Sequence, residues 1–453
     1  MSSGELAVSR RGFLQWAMAA GVVLAGAPAV SACAGRFSDA THGQVTMANV
    51  SNPVTQDLQQ LAPKFLPDVD VRFSALPETQ LREKVAKDIA AGTGQFDVIA
   101  VGPYEAVQYA ESGWLADLKP LMEQDSNYDA GDLIPTVIQT LSKDAGVYAI
   151  PVYAESAFLM YRTDLFEQAG LSMPAAPTWQ EVAALAQQLK STDIAGICLR
   201  GLAGENQVPL MATIYTFGGR VFTPEWEPTF TEPETREAIA FYVDLARSAG
   251  QPGIASAGFT QCLATMSQGN AAMWMDATVA ANTLEDPDQS KVSGKVGYVP
   301  APRYRSPFGG WYWSWALAIP KASKNREAAW EFVKWATSRE YIRQVADELG
   351  VEHTPPGTRM STYENPTYLE AAPYARTTLT QIQQVGPEAV LKPSAPPDLP
   401  AAYFSFPQWG DVYTPLSQEI AAAIAGNQTA DEAIAKIQST TTETMKRIGL
   451  YRG

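Results

Sequence analysis

"VDVRFSALPETQLREKVAKDIAAGTGQFDVIAVG", residues 69–102, decides the fold. Its first eight residues alternate apolar and polar side chains, the period of a half-buried strand. From Pro77 and Glu78 the pattern lengthens to that of a helix, which Gly92 closes. "FDVIAVG" then returns to strand. Just upstream, "QVTMANV" (44–50) reads as a strand and "TQDLQQLAPKF" (55–65) as a helix. Strand, helix, strand, helix is a βαβ succession, which implies an α/β fold with a mostly parallel sheet.

A second unit begins at "GVYAIPVYAESAFLMYRTDLF" (146–166), a strand-like run interrupted by Pro151, followed by a new apolar strand. "TWQEVAALAQQLK" (178–190) reads as a helix capped by Thr178, with Glu181 completing a capping box. "GNAAMWMDATVAAN" (269–282) and "GKVGYVPAP" (294–302) read as strands around the charged insert "EDPDQSKVSG". Near the end, 429–449 forms an amphipathic helix with Ala430, Ile434 and Ile437 on one face. The Pro-rich stretch 391–403 reads as a surface loop. A chain of 453 residues can bury a large core and is expected to form two lobes.

The first 32 residues belong to targeting. Arg10 and Arg11, followed by Gly12, Phe13 and Leu14, resemble a twin-arginine export signal. The apolar run behind them is too short and too rich in Ala and Gly to span a bilayer. It ends in Val30, Ser31, Ala32 and Cys33, which resembles a lipobox, so Cys33 is expected to become an acylated N-terminus after cleavage. Two or three acyl chains, at about 0.8 kcal/mol per buried methylene, hold a protein on a membrane lastingly. Residues 33–42 would then be a tether, and the protein an exported lipoprotein on the outer side of the cytoplasmic membrane.

Cys198 and Cys262 remain, and the sequence leaves open whether they pair or stay buried as small hydrophobes. With only His42 and His353 in the chain and no Cys/His cluster, a zinc site and a Ser-His-Asp centre are poorly supplied, and no metal or cofactor is expected. The formal charge is −15, and removing Glu5, Arg10 and Arg11 with the signal takes it to −16. That balance argues against nucleic acid as a partner.

"GGWYWSWALAIP", residues 309–320, places Trp311, Trp313 and Trp315 at alternate positions. Read as a strand from Gly310 to Ile319, it sets all three indoles on one face. Such a face either fills a core or is a surface on which something flat and hydroxylated is laid.

Taken with "LREKVAKDIAAGTGQFDVIAVGPYE", "IPVYAESAFLMYRTDLFEQAGL", "PTWQEVAALA", "GICLRGL", "AAMWMDATVAA", "WYWSWALAIP" and "PPGTR", these segments resemble the solute-binding proteins of carbohydrate ABC importers. The match runs over nearly the whole chain and is closest to the branch that binds sugar alcohols such as sorbitol and mannitol. The loop "AGENQVPL" (203–210) is shorter than the pattern usual there, and "YFSFPQWGDVYTPL" (403–416) also differs.

The resemblance implies a type II periplasmic-binding-protein-like α/β fold, with two discontinuous lobes joined by hinge strands around a ligand cleft. The first lobe would comprise 43–150 and 278–343, the second 151–277 and 344–453, with crossings near 150–153, 274–276 and in the 340s. It further implies a monomeric receptor, not an enzyme, that hands a polyol to membrane permease subunits. A di- or oligosaccharide receptor is the alternative, and an exported glycoside hydrolase using Glu155 and Asp276 is a third reading.

A polyol site needs charged acceptors and donors backed by aromatic faces. By the resemblance, Glu155 at a crossing offers a carboxylate, and Trp311 or Trp313 reaches the cleft while Trp315 stays in the core. Trp274 and Asp276, two apart on one strand, would set a stacking plane beside an acceptor. Arg359 follows two prolines and a glycine that would present its guanidinium rigidly, though a structural role for it is open. Asn49, Asn52, Tyr104 and Glu105 follow strand ends, where α/β crevices lie. Asn52 precedes Pro53 and equally suits a turn cap. Arg200 is a weaker candidate.

Overall fold

The computed structural model describes residues 43–385, 404, 406 and 408–452. Arg10, Arg11, Cys33, the tether and the Pro-rich stretch 391–403 lie outside them.

The first half is built as its periodicity implies. Strand β1 (Gly43–Val50) leads to α1 (Pro53–Phe65), β2 (Val69–Leu76), α2 (Glu78–Ala91), β3 (Val98–Val101) and α3 (Pro103–Glu111). Asn52 caps α1 by accepting the Thr55 N–H at 3.0 Å, with Pro53 preset for the first turn. Gly92 ends α2 at φ 62°, a left-handed position that a side chain would strain. β1 runs parallel to β2 in unbroken register and pairs with β3 on its other edge. Val45, Met47, Val98 and Ile99 are wholly buried, each contributing about 1.5–3 kcal/mol relative to exposure.

Further along come β4 (Ile150–Glu155), β5 (Ala157–Arg162), α4 (Trp179–Leu189), α5 (Phe259–Ser267), β6 (Met273–Ala277), α6 (Ala280–Glu285), β7 (Val296–Pro300) and β8 (Trp313–Ala318). Thr178 and Glu181 form the expected reciprocal cap on α4. Two sheets result. The first has the order β2-β1-β3-β8-β4, with β8 antiparallel to both neighbours. The second has β5 at its centre, antiparallel to β6 and β7.

Ser156 alone separates β4 in one sheet from β5 in the other. Its carbonyl accepts the Thr278 N–H at 2.9 Å, which ties the first crossing to the end of β6. The stretch 269–282 is strand only as far as Ala277, the residue opposite the first of β5, after which the chain turns into α6. Segment 278–300 stays with the second sheet, because β7 pairs with β5, and the chain rejoins the first sheet only at Trp313. At 356–358 it still lies against that side. Ala154 N bonds the Pro356 carbonyl at 2.9 Å, and Ile134 N bonds that of Thr358 at 2.9 Å. Cys198 and Cys262 are buried free thiols.

Candidate functional site

The site grows from the antiparallel ladder between β4 and β8. Trp313 lies opposite Glu155 and Trp315 opposite Tyr153. Alternate residues share a face, and directly opposed residues share it too, so these four side chains point the same way. They line a cavity of about 280 Å³, together with Trp311. Asn52 and Glu78, from the ends of β1 and β2, complete one wall, and Arg200, Glu205 and Phe259 another. It is a crevice at the carboxyl ends of parallel strands, where α/β sheets bind ligands.

The aromatic wall is braced. The indoles of Trp313 and Trp315 meet edge to face at 5.5 Å, and the Arg82 guanidinium stands 5.0 Å and 5.3 Å from their rings. Gly102 makes room for Trp313, since a Cβ there would come within 2.5 Å of the indole.

The polar wall is organised around Arg200. Its Nε donates to the Asp276 carboxylate at 2.9 Å and 3.1 Å, and its guanidinium lies 5.2 Å from the Phe259 ring. Asp276 is fully buried and also accepts from Trp274 Nε1 at 3.1 Å and from its neighbour Ala277 N at 2.7 Å. Burial would weaken the Arg200 charge, but Asp276, with Glu205 and Glu78, outweighs it and holds the guanidinium protonated.

Glu155 is placed differently. Among the described residues its one hydrogen bond is from Val279 N, at 3.4 Å. Burial pushes its carboxyl up to about 8, with Arg200 opposing and Asp276 reinforcing the shift. Glu205 accepts the Phe259 N–H at 2.8 Å and stands 3.8 Å from Arg200 Nη1. Its carboxyl is also raised, first by burial and then by Glu78. Carboxyl groups, a fixed guanidinium and indole faces together suit an uncharged guest rich in hydroxyls.

Of the residues singled out by sequence, Asn52, Glu155, Trp311, Trp313 and the weaker candidate Arg200 line this cavity. Asn52 does so while capping α1, its Nδ2 donating to the Tyr153 hydroxyl at 2.7 Å. The others lie elsewhere. Trp274 and Asp276 share a side of β6, but that side faces Arg200 and the interior, so Asp276 is not offered to a substrate as half of a carboxylate pair. Asn49 is buried with Nδ2 3.5 Å from the Val50 carbonyl and does not line the cavity. Glu105 caps α3 through Gly102 N at 2.6 Å and pairs with Arg82, which also bonds the Tyr104 hydroxyl. Tyr104 and Glu105 line a separate groove with Gly204 and Tyr413. Arg359 is wholly buried, donating to the carbonyls of Thr337, Asp129 and Tyr128 at 3.0 Å each, where it closes a loop junction.

Among the cavity residues that escaped the sequence reading are Tyr153, Glu78, Glu205 and Phe259, and Trp315 was expected in the core. The alternation that paired Trp311 with Trp313 reaches Trp315 and, on β4, joins Tyr153 to Glu155. Phe259 supplies an aromatic wall beside the short 203–210 loop.

Residues 51–342 match the family described as bacterial extracellular solute-binding protein. A mannitol-binding protein of Pseudomonas aeruginosa is 40% identical over 414 residues, covering 89% of this chain and 94% of its own. A solute-binding protein of Agrobacterium vitis, solved with bound D-mannitol, is 42% identical, with a TM-score of 0.84 over 90% of this chain and 99% of its own. A ribitol complex from Agrobacterium radiobacter, 24% identical with a TM-score of 0.78 over 88% of this chain and 98% of its own, shares the fold. The two sheets with a crevice between them are therefore those of the type II periplasmic-binding-protein fold, and the chain belongs to the bacterial extracellular solute-binding protein family of ABC importers.

Proposed function

We propose that this protein captures one open-chain sugar alcohol, a hexitol such as mannitol or a near relative, and delivers it to the permease subunits of an ABC importer. The observation that carries the reading is the single face of Tyr153, Glu155, Trp313 and Trp315 opening on a cavity that also holds Arg200. Carboxyl and guanidinium groups answer hydroxyls that both donate and accept, while indole faces take the C–H side of a carbon chain. The mannitol-binding relative and the D-mannitol complex point to the same ligand class.

Size separates a polyol from a disaccharide. An apolar cavity of about 150 Å³ holds benzene. At about 280 Å³ this one takes a guest about twice as large, roughly a dozen non-hydrogen atoms, which is a hexitol. A disaccharide has about two dozen.

In this reading Asn52, Glu78, Tyr153, Glu155, Arg200, Glu205, Trp311, Trp313 and Trp315 hold the ligand. The lobes close by hinge motion at Ser156 and Thr278, because hydroxyl contacts from both sides favour the closed state. Acylated Cys33, reached through twin-arginine export, anchors a monomeric receptor to the outer face of the cytoplasmic membrane, and no cofactor takes part. Isothermal titration against hexitols, pentitols, tetritols and disaccharides tests the ligand class. Micromolar binding of a hexitol, about −8 kcal/mol, is expected. Heat from a disaccharide alone, or from no ligand, would refute it.

A further inference from the structure

The charges around the cavity do not balance. Arg200 is committed to Asp276, and Arg82 to Glu78 at 2.8 Å and to Glu105. These two guanidiniums face five carboxyl groups once Glu155 and Glu205 are counted, a formal excess of three negative charges, or of two while Glu155 keeps its proton. Three of the five, Glu78, Glu155 and Glu205, line the cavity itself. Glu155 is only 5% exposed and turned into the cavity, with no partner among the described residues beyond the 3.4 Å contact to Val279 N. Glu205 stands 3.8 Å from the already committed Arg200, so the cavity carries more carboxyl groups than guanidiniums to answer them.

Resting on the polyol reading, we propose that the cleft selects by charge through Glu78, Glu155 and Glu205, refusing acidic polyol derivatives and accepting amino-alditols in which one terminal hydroxyl is an ammonium. A carboxylate or phosphate on the ligand would stand beside these groups in a place shielded from water, where like charges cost several kcal/mol. An ammonium instead meets a buried carboxyl as its counter-ion. Around Glu155 stand Arg200, Asp276, Glu78 and Tyr153, and in this setting its carboxyl holds a proton to about pH 8. Binding of the cation displaces that proton to the buffer, so one charge enters as another leaves. A neutral hexitol displaces none.

The test is isothermal titration at pH 7 with a hexitol, its 1-amino-1-deoxy derivative and the hexonate of the same configuration. Each is run in two buffers of different ionisation enthalpy. The amine is expected to bind at least as tightly as the hexitol with net proton release, and the hexonate at least about 100-fold more weakly. A hexonate within tenfold of the hexitol, or an amine about 100-fold weaker than it, would overturn charge selection while leaving the polyol reading intact. Silence of the hexitol would remove that reading and this selection with it. In Glu155→Gln the ratio of amine to hexitol affinity should fall about tenfold, and Glu205→Gln serves as a second variant should the first fail to fold. An unchanged ratio in the folded variants would contradict the assignment.

Discussion

Trp313 lies directly opposite Glu155 across the β4–β8 ladder, so an indole face and a nearly unpartnered buried carboxyl open on the same cavity. Their pairing gives the site an apolar plane and a hydrogen-bonding group at one level of one sheet. Replacing Trp313 with Ala should weaken hexitol binding about 10- to 100-fold and cost about 3–5 kcal/mol of stability, since the ring is 7% exposed. Trp313→Phe should fall between on both counts. Titration calorimetry and urea unfolding check the two effects separately.

Asp276 bears on the cavity only through Arg200. Asp276→Asn removes the charge but keeps the shape, leaving the buried guanidinium without its counter-ion at a cost of about 3–5 kcal/mol. Ligand affinity should fall as well, because the Arg200 geometry loosens. In a double-mutant cycle with Arg200→Met the two losses should be strongly non-additive. Additive losses would mean that Asp276 acts on its own.

Arg359 is held by carbonyls and by Asp132 at 3.4 Å, away from the cavity. Arg359→Met should destabilise the protein by about 3–5 kcal/mol, since Asp132 and three carbonyls lose a buried donor. The folded variant should bind a hexitol within about twofold of the unmodified protein. A calorimetric titration below its unfolding temperature distinguishes the two readings of this residue.

Glu155 sets a pH dependence of stability. Its carboxyl lies near the ordinary 4.5 when unfolded and is raised to about 8 in the fold, so the folded protein binds the extra proton between those values. Stability tied to this group is fully present below about pH 4.5 and is lost as pH rises through about 8. His353, raised chiefly by its 3.0 Å hydrogen bond to Asp57, carries the same sign. Comparing urea unfolding of the unmodified protein and Glu155→Gln from pH 5 to 9 cancels the His353 contribution. The variant's curve should decline less steeply toward high pH.

Local pattern and long-range contact divide what the sequence discloses. The βαβ opening is legible because strand and helix periods are properties of neighbouring residues, and the caps at Asn52 and Thr178 lie within three residues of their partners. Period two also joins Tyr153 to Glu155 and Trp315 to Trp313. It could not say which way the side of β6 bearing Trp274 and Asp276 faces. That is decided by Arg200, 76 residues away. Arg359 is likewise claimed by carbonyls 230 and 231 residues distant, which no reading of its own loop contains. That β7 pairs with β5 while β8 pairs with β4 is likewise visible only in the folded sheets.

A crystal structure of the protein grown with a hexitol tests the central claim most directly. One hexitol should lie in the cavity with its carbon chain against Trp313 and its hydroxyls within hydrogen-bonding distance of Glu155 and Arg200. A hexitol bound elsewhere, or a crevice that stays empty at saturating ligand, would contradict it.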